Sequence, residues 1–185
     1  MAIVREAAMP WHDGENIMHD LLKIPNYPNP TSLFLFPSAK YLLQNAPLLA
    51  LGILDDEGRP WTTIWGGKAG LTRPLASSKV GIKAVVDQNY DPLAAILFQG
   101  TRKNVGEENV RGRMISGLSL DLDSRQRIKL YGRMVTGTLG SMKDQENVCA
   151  IQLLVKIEQS LGEKRNSTHY LLAKLTSGQP IVPSI

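Results

Sequence analysis

Cysteine is almost absent from this chain. Among 185 residues there is one, Cys149, set in an apolar run. A single thiol excludes an intramolecular disulfide and a cysteine-based zinc cluster, and it reads as a small buried hydrophobe. Histidine is scarce too, at three residues. His12 and His19 lie near each other in sequence, but no third ligand accompanies them, so no metal site is expected. No stretch is long and apolar enough to span a bilayer, and the first residues lack the apolar core of a signal peptide; a cytoplasmic, reducing location is expected, with no membrane partner. A Gly-x-Ser-x-Gly elbow is missing, and so is a glycine-rich dinucleotide fingerprint. Excess charge of one sign is slight, at +4. The basic residues form small scattered clusters, whereas nucleic-acid binding needs a broad basic stripe and a recognisable module. There is no repeat, no low-complexity tract and no composition shift, so residues 1–185 read as one domain.

The most informative stretch that is present runs over 48–67. Leu49, Leu51 and Ile53 alternate with Ala50, Gly52 and Leu54. This nearly continuous apolar run is that of a strand covered on both faces. Asp55-Asp56-Glu57-Gly58 supplies a hairpin turn. The return strand places Trp61, Thr63 and Trp65 on one face. Gly66 and Gly67 follow, where a flat ligand or another backbone can approach closely.

Elsewhere, Asp13 is the expected cap of a helix through Leu22, with Ile17, Met18, Leu21 and Leu22 on one face. A second helix is expected to start at Ser38 and run over 39–45. Residues 68–78 read as a loop. Residues 80–86 read as a strand, and Asp91-Pro92 as the cap and first turn of a short helix. Residues 100–112 are polar. Strands are expected over 114–122 and 127–139, paired around the Asp123-Ser124-Arg125 turn, and again over 149–157. About six strands with short helices at the turns imply a mainly β fold, a closed or split, mostly antiparallel barrel. The organisation is then a helical arm (1–47), a barrel (48–162) and a tail (163–185).

Two groups of side chains are candidates for chemistry. Arg125, Arg127 and Lys129 alternate and so share one strand face. Such a row is either a solvated wall or a site for an anion, a terminal phosphate being the natural one. Thr62 and Thr63 are either ordinary strand residues or hydroxyl ligands beside the indoles. His12, Asp13 and Glu15 read as a capped approach to the barrel.

Several blocks resemble the flavin-binding split-barrel proteins of the pyridoxamine 5'-phosphate oxidase-like group. They are Pro10-Trp11-His12-Asp13-Gly14-Glu15, Gly58-Arg59-Pro60-Trp61-Thr62-Thr63 with Trp65-Gly66-Gly67, Asp91-Pro92-Leu93, 121–129 and Gln159-Ser160-Leu161-Gly162. The resemblance implies an FMN-dependent oxidoreductase acting on a small molecule, with NAD(P)H as a possible electron donor. FMN is expected over FAD, since nothing is available to hold an adenosine. The implied cofactor residues are Arg59, Thr62, Thr63, Trp65, Lys83, Arg125, Arg127 and Lys129; no catalytic side chain is implied, because the flavin carries the redox chemistry. A homodimer is implied, with the cofactor between subunits. The chain departs from the pattern twice. Asp91-Pro92 stands where relatives carry a Ser-Arg-Lys cluster at the ribityl-phosphate. After Gly162, Glu163-Lys164-Arg165-Asn166 replaces an Asn-Cys-Pro-Lys-Tyr block, so the tail is expected near the mouth of the site. These departures support an alternative, a repurposed barrel that carries flavin, haem or a small metabolite without oxidase activity.

Overall fold

Alternation of apolar and polar side chains builds most of this molecule. The computed structural model describes residues 8–25, 27–98, 110–142 and 147–162. Its strands are β1 (Leu48–Leu54), β2 (Pro60–Gly66), β3 (Thr72–Pro74), β4 (Lys79–Asp87), β5 (Met114–Asp121), β6 (Gln126–Ser141) and β7 (Val148–Gly162). They form one antiparallel sheet in the order β2-β1-β5-β6-β7-β4-β3. The helices are α1 (Asp13–Leu21), α2 (Pro37–Asn45) and α3 (Pro92–Phe98).

The sheet rolls because β6 and β7 are long and irregularly paired. Register shifts fall at Tyr131/Gly132 and Met134/Thr136, and bulges of this kind bend and twist a strand pair. Gly132 is required at the first: a Cβ there would meet the Lys156 carbonyl oxygen at 2.2 Å. The inner surface carries Leu49, Leu51, Ile53, Val80, Ile82, Ile128, Met134, Ile151 and Val155, all buried. Rolling brings the β2 edge to the end of β4, yet these two strands do not pair. The fold is a mainly β, antiparallel split barrel, and the split lies between β2 and β4.

Five expectations are corrected. β3 lies inside 68–78, which reads as a loop; three residues are too few to show alternation, and Pro74 is tolerated because β3 is an edge strand. α2 begins at Pro37, not Ser38, since proline is preorganised for the first helical position. His12, not Asp13, caps α1: its Nδ1 accepts from the Gly14 N–H at 3.1 Å, and its own N–H donates to Glu15 at 2.8 Å. Arg125 is not on β6 but in the turn before it, at φ 56°. Finally, the described residues cover only one face of β1. Leu48, Ala50 and Gly52 on the other face are half-buried and Leu54 is exposed.

Candidate functional site

Among the described residues, one carboxylate, Asp91, bridges the split through side-chain hydrogen bonds. Asp91 follows β4, and its Oδ1 accepts from the Ala94 N–H at 2.9 Å, capping α3. Its Oδ2 accepts from the Trp65 indole N–H at 2.7 Å and the Thr63 hydroxyl at 3.0 Å. Trp65 is only 3% exposed. Beside this joint lies an open cleft of about 290 Å³, bordered by Thr63, Trp65, Asp87, Tyr90 and Asp91. Among the described residues two carboxylates and no cation line it, a charge that disfavours a phosphate. Cys149 sits nearby on the inner face of β7. Burial pushes its thiol up, and the negative charges of Asp91 and Asp87 add to the effect, so it stays a protonated thiol and a poor nucleophile.

The outward face of β2-β1-β5-β6 is different. Paired residues share a face, so register defines rows across it. One row reads Ile64, Ala50, Leu118, Lys129; the next reads Gly66, Leu48, Leu120, Arg127. A third reads Thr62, Gly52, Ser116, Tyr131. The result is a shelf, apolar in the middle, edged with hydroxyls on one side and ending in two exposed cations. Neither Arg127 nor Lys129 has an ion-pair partner among the described residues. Ile64, at the far end, is 68% exposed. The shelf spans three strand spacings, about 14 Å, the scale of a ring system joined by a short chain to a phosphate.

The residues singled out from sequence therefore separate. Thr62, Arg127 and Lys129 lie together on the shelf. Thr63 and Trp65 face the other way, engaged with Asp91. Arg59 is in the β1–β2 turn, paired with Asp55 at 2.7 Å and Glu57 at 2.6 Å. Burial alone would raise the Asp55 pKa, but hydrogen bonds from Trp61, Arg59 and the Glu57 backbone outweigh it and hold the carboxyl well below the usual range. Lys83 is on the outer face of β4, in a row with Gln152 and Thr138, nine residues along β6 from Lys129. Arg125 lies in the turn organised by Asp121, whose carboxyl is held low by hydrogen bonds from the Ser124 hydroxyl and backbone. Ala50, Ile64, Leu118 and Leu120 were not singled out from the sequence as site residues; the signal for Ala50 was the apolar character of both parities in β1. The tail at 163–170 lies outside the described residues.

No described helix is long and apolar enough to cross a membrane. No protein-family model matches the chain, and no curated protein matches it. Among solved structures, HupZ of Group A Streptococcus overlaps at 12% identity and TM-score 0.41, over 71% of this chain and 95% of that one. A protein described as F420 reductase overlaps at 7% identity and TM-score 0.40, over 65% and 94%. A pyridoxamine 5'-phosphate oxidase-related, FMN-binding protein of Nostoc punctiforme PCC 73102 overlaps at 12% identity and TM-score 0.35, over 78% and 80%. At these values the overlaps decide neither ligand nor chemistry for this chain.

Proposed function

We propose that this chain is the protomer of a homodimeric flavoprotein that holds FMN on the outward shelf and works as an oxidoreductase on a small molecule, in the manner of the pyridoxamine 5'-phosphate oxidase-like group. One observation carries the reading: two unpaired cations, Arg127 and Lys129, end an apolar lane of small and aliphatic side chains. Guanidinium and ammonium suit a phosphate; Ala50, Gly52 and Ile64 offer a flat apolar floor for a ring. Thr62 and Ser116 offer hydroxyls along its edge. A bound flavin would supply the electron-transfer chemistry; the side chains bind and orient it. The described residues of one chain leave the shelf open to water, and a second copy related by a two-fold axis would cover it. A reduced nicotinamide is the proposed electron donor. The cleft at Asp91 is not the phosphate site, because its charge has the wrong sign.

The test is direct. The purified protein is examined for flavin absorption, and apoprotein is titrated with FMN. Changing Arg127 and Lys129 together to Ala removes two charge-assisted contacts, about 3 kcal/mol, or roughly a hundredfold in affinity. Unchanged FMN affinity in that variant, or no FMN binding by the parent protein, overturns the reading. Binding of haem or another metabolite in place of FMN would support the repurposed barrel instead.

A further inference from the structure

The inward face of the sheet does not close completely on itself. Inside the barrel the described residues leave a cavity of about 20 Å³. Leu51, Ile115, Leu130, Val155 and Ile157 form much of its wall, and all five are buried. Gly117 is on the wall too. Register sets it between Leu51 on β1 and Leu130 on β6, so a position for an inward side chain holds only hydrogen. Its backbone is not in the left-handed region. A Cβ there would lie 3.5 Å from Leu51 Cδ2 and 3.7 Å from Leu130 Cβ, which are ordinary contacts. The gap is therefore a missing side chain and not a crowded backbone.

The hydroxyls on this wall are already used. Thr72 donates to the Leu43 carbonyl, and Ser116 donates to the Gly52 carbonyl at 3.3 Å. Among the described residues, the buried side-chain oxygen left without a partner belongs to Thr136, which is not on the wall. One water needs roughly 10–15 Å³ and about two to four polar partners. The space suffices; the side-chain partners are missing. Atoms lining such a void forfeit dispersion contacts on one side. A small apolar molecule restores those contacts and has no hydrogen bond to satisfy. We infer that the barrel interior is a reversible site for one small, uncharged, apolar molecule of the size of dioxygen or xenon. It is separate from both surfaces described above. Strand β5 divides it from the shelf, with Ser116 facing out and Gly117 in, and it shares no lining residue with the cleft at Asp91. Binding here does not depend on what the shelf holds.

The experiment titrates the full chain with xenon under pressure and follows its methyl proton–carbon spectrum, then repeats the measurement under oxygen. The expected result is a saturable shift of the Leu51, Leu130 and Val155 methyl signals, with oxygen broadening concentrated on the same methyls. Gly117→Ala places a methyl in the space and should weaken xenon binding at least ~10-fold. Its Tm should be equal to the parent's or higher, because the change fills a void and removes a strand glycine. Gly140→Ala, which is off the wall, should bind xenon as the parent does. A parent shift that is absent or does not saturate overturns the inference, and so does an equal shift in Gly117→Ala. A fall in the Tm of Gly117→Ala shows that the room is not there and overturns it too. So does a nuclear Overhauser effect to these methyls from a held water, or from residues 99–109 or 163–185, since the space is then already filled. Oxygen broadening spread evenly over exposed methyls overturns it for dioxygen.

Discussion

Asp91 is the side chain on which closure of the barrel depends, and its removal can be worked through. Asp91→Ala strips the α3 cap, worth about 1 kcal/mol. It also leaves the Trp65 indole N–H, 3% exposed, without its acceptor; an orphaned buried donor costs about 1–3 kcal/mol. The half-buried Thr63 hydroxyl loses its acceptor as well. Together these come to about 3 kcal/mol, because the three contacts share one carboxylate and do not add independently. For a chain of this size that is a fall of roughly 6–12 °C in Tm. Asp91→Asn separates the contributions. Its oxygen can cap α3, but its amide then points N–H groups at the Trp65 N–H, so the variant keeps the cap and loses the joint. Trp65→Phe removes the orphaned donor, so Asp91→Asn should cost less in the Trp65→Phe background. Urea unfolding followed by circular dichroism on the four proteins gives the coupling, expected at about 1–2 kcal/mol. A coupling under about 0.5 kcal/mol would show that the Asp91–Trp65 contact does not hold β2 to the end of β4.

Three further outcomes follow from other parts of the molecule. Gly132→Ala should destabilise by about 3 kcal/mol, since the atoms in its way are backbone, whereas Gly140→Ala, whose Cβ would lie 3.8 Å from its nearest neighbour, should be nearly neutral; equal Tm values would refute the bulge argument. Asp55 is held below the ordinary aspartate range, so the unfolded chain binds its proton first as pH falls. The stability this carboxylate contributes is therefore present above about pH 4 and is lost on acidification below it, and the Tm difference between parent and Asp55→Asn should shrink from pH 6 to pH 2. A chain ending at Gly162 should fold and bind FMN with parental affinity but change its substrate preference; loss of flavin from a folded truncation would put the tail in the cofactor site.

Sequence reading reached the elements whose signal is local. The β1–β2 hairpin is written in its alternation and in Gly58, which takes φ 78° as the turn requires. The α3 cap is written in Asp91-Pro92. The misreadings have equally physical causes. Aspartate is the more familiar helix cap, but Glu15 stands three residues after His12, and that spacing is the capping-box signal. Arg125 alternates with Arg127, yet the hairpin turn takes it out of the strand. The candidate site was half legible. Parity assigned Thr62, Arg127 and Lys129 each to a face, but only the strand order β2-β1-β5-β6 places those faces side by side. The same order puts β7 between β6 and β4, which removes Lys83 from the group. Nothing in a single strand reports who its neighbours will be.

The two surfaces divide the chemistry by sign of charge. At about 5 Å and an effective dielectric near 20, each pair of unit charges interacts by roughly 3 kcal/mol. A phosphate beside Asp87 and Asp91 would meet two repulsions of that order; on the shelf it would meet two attractions, from Arg127 and Lys129. On the proposed reading the anion site lies on the outward face, and the carboxylates beside the split keep it out of the cleft. The consequence is a separation of effects. Changes at Asp91 should lower stability and leave FMN affinity per folded molecule unaltered, while changes at Arg127 and Lys129 should lower affinity and leave the unfolding free energy of the apoprotein within about 0.5 kcal/mol of the parent, as expected of exposed charges without partners. An Asp91 variant that stayed fully folded but lost FMN would place the flavin in the cleft and reverse the assignment.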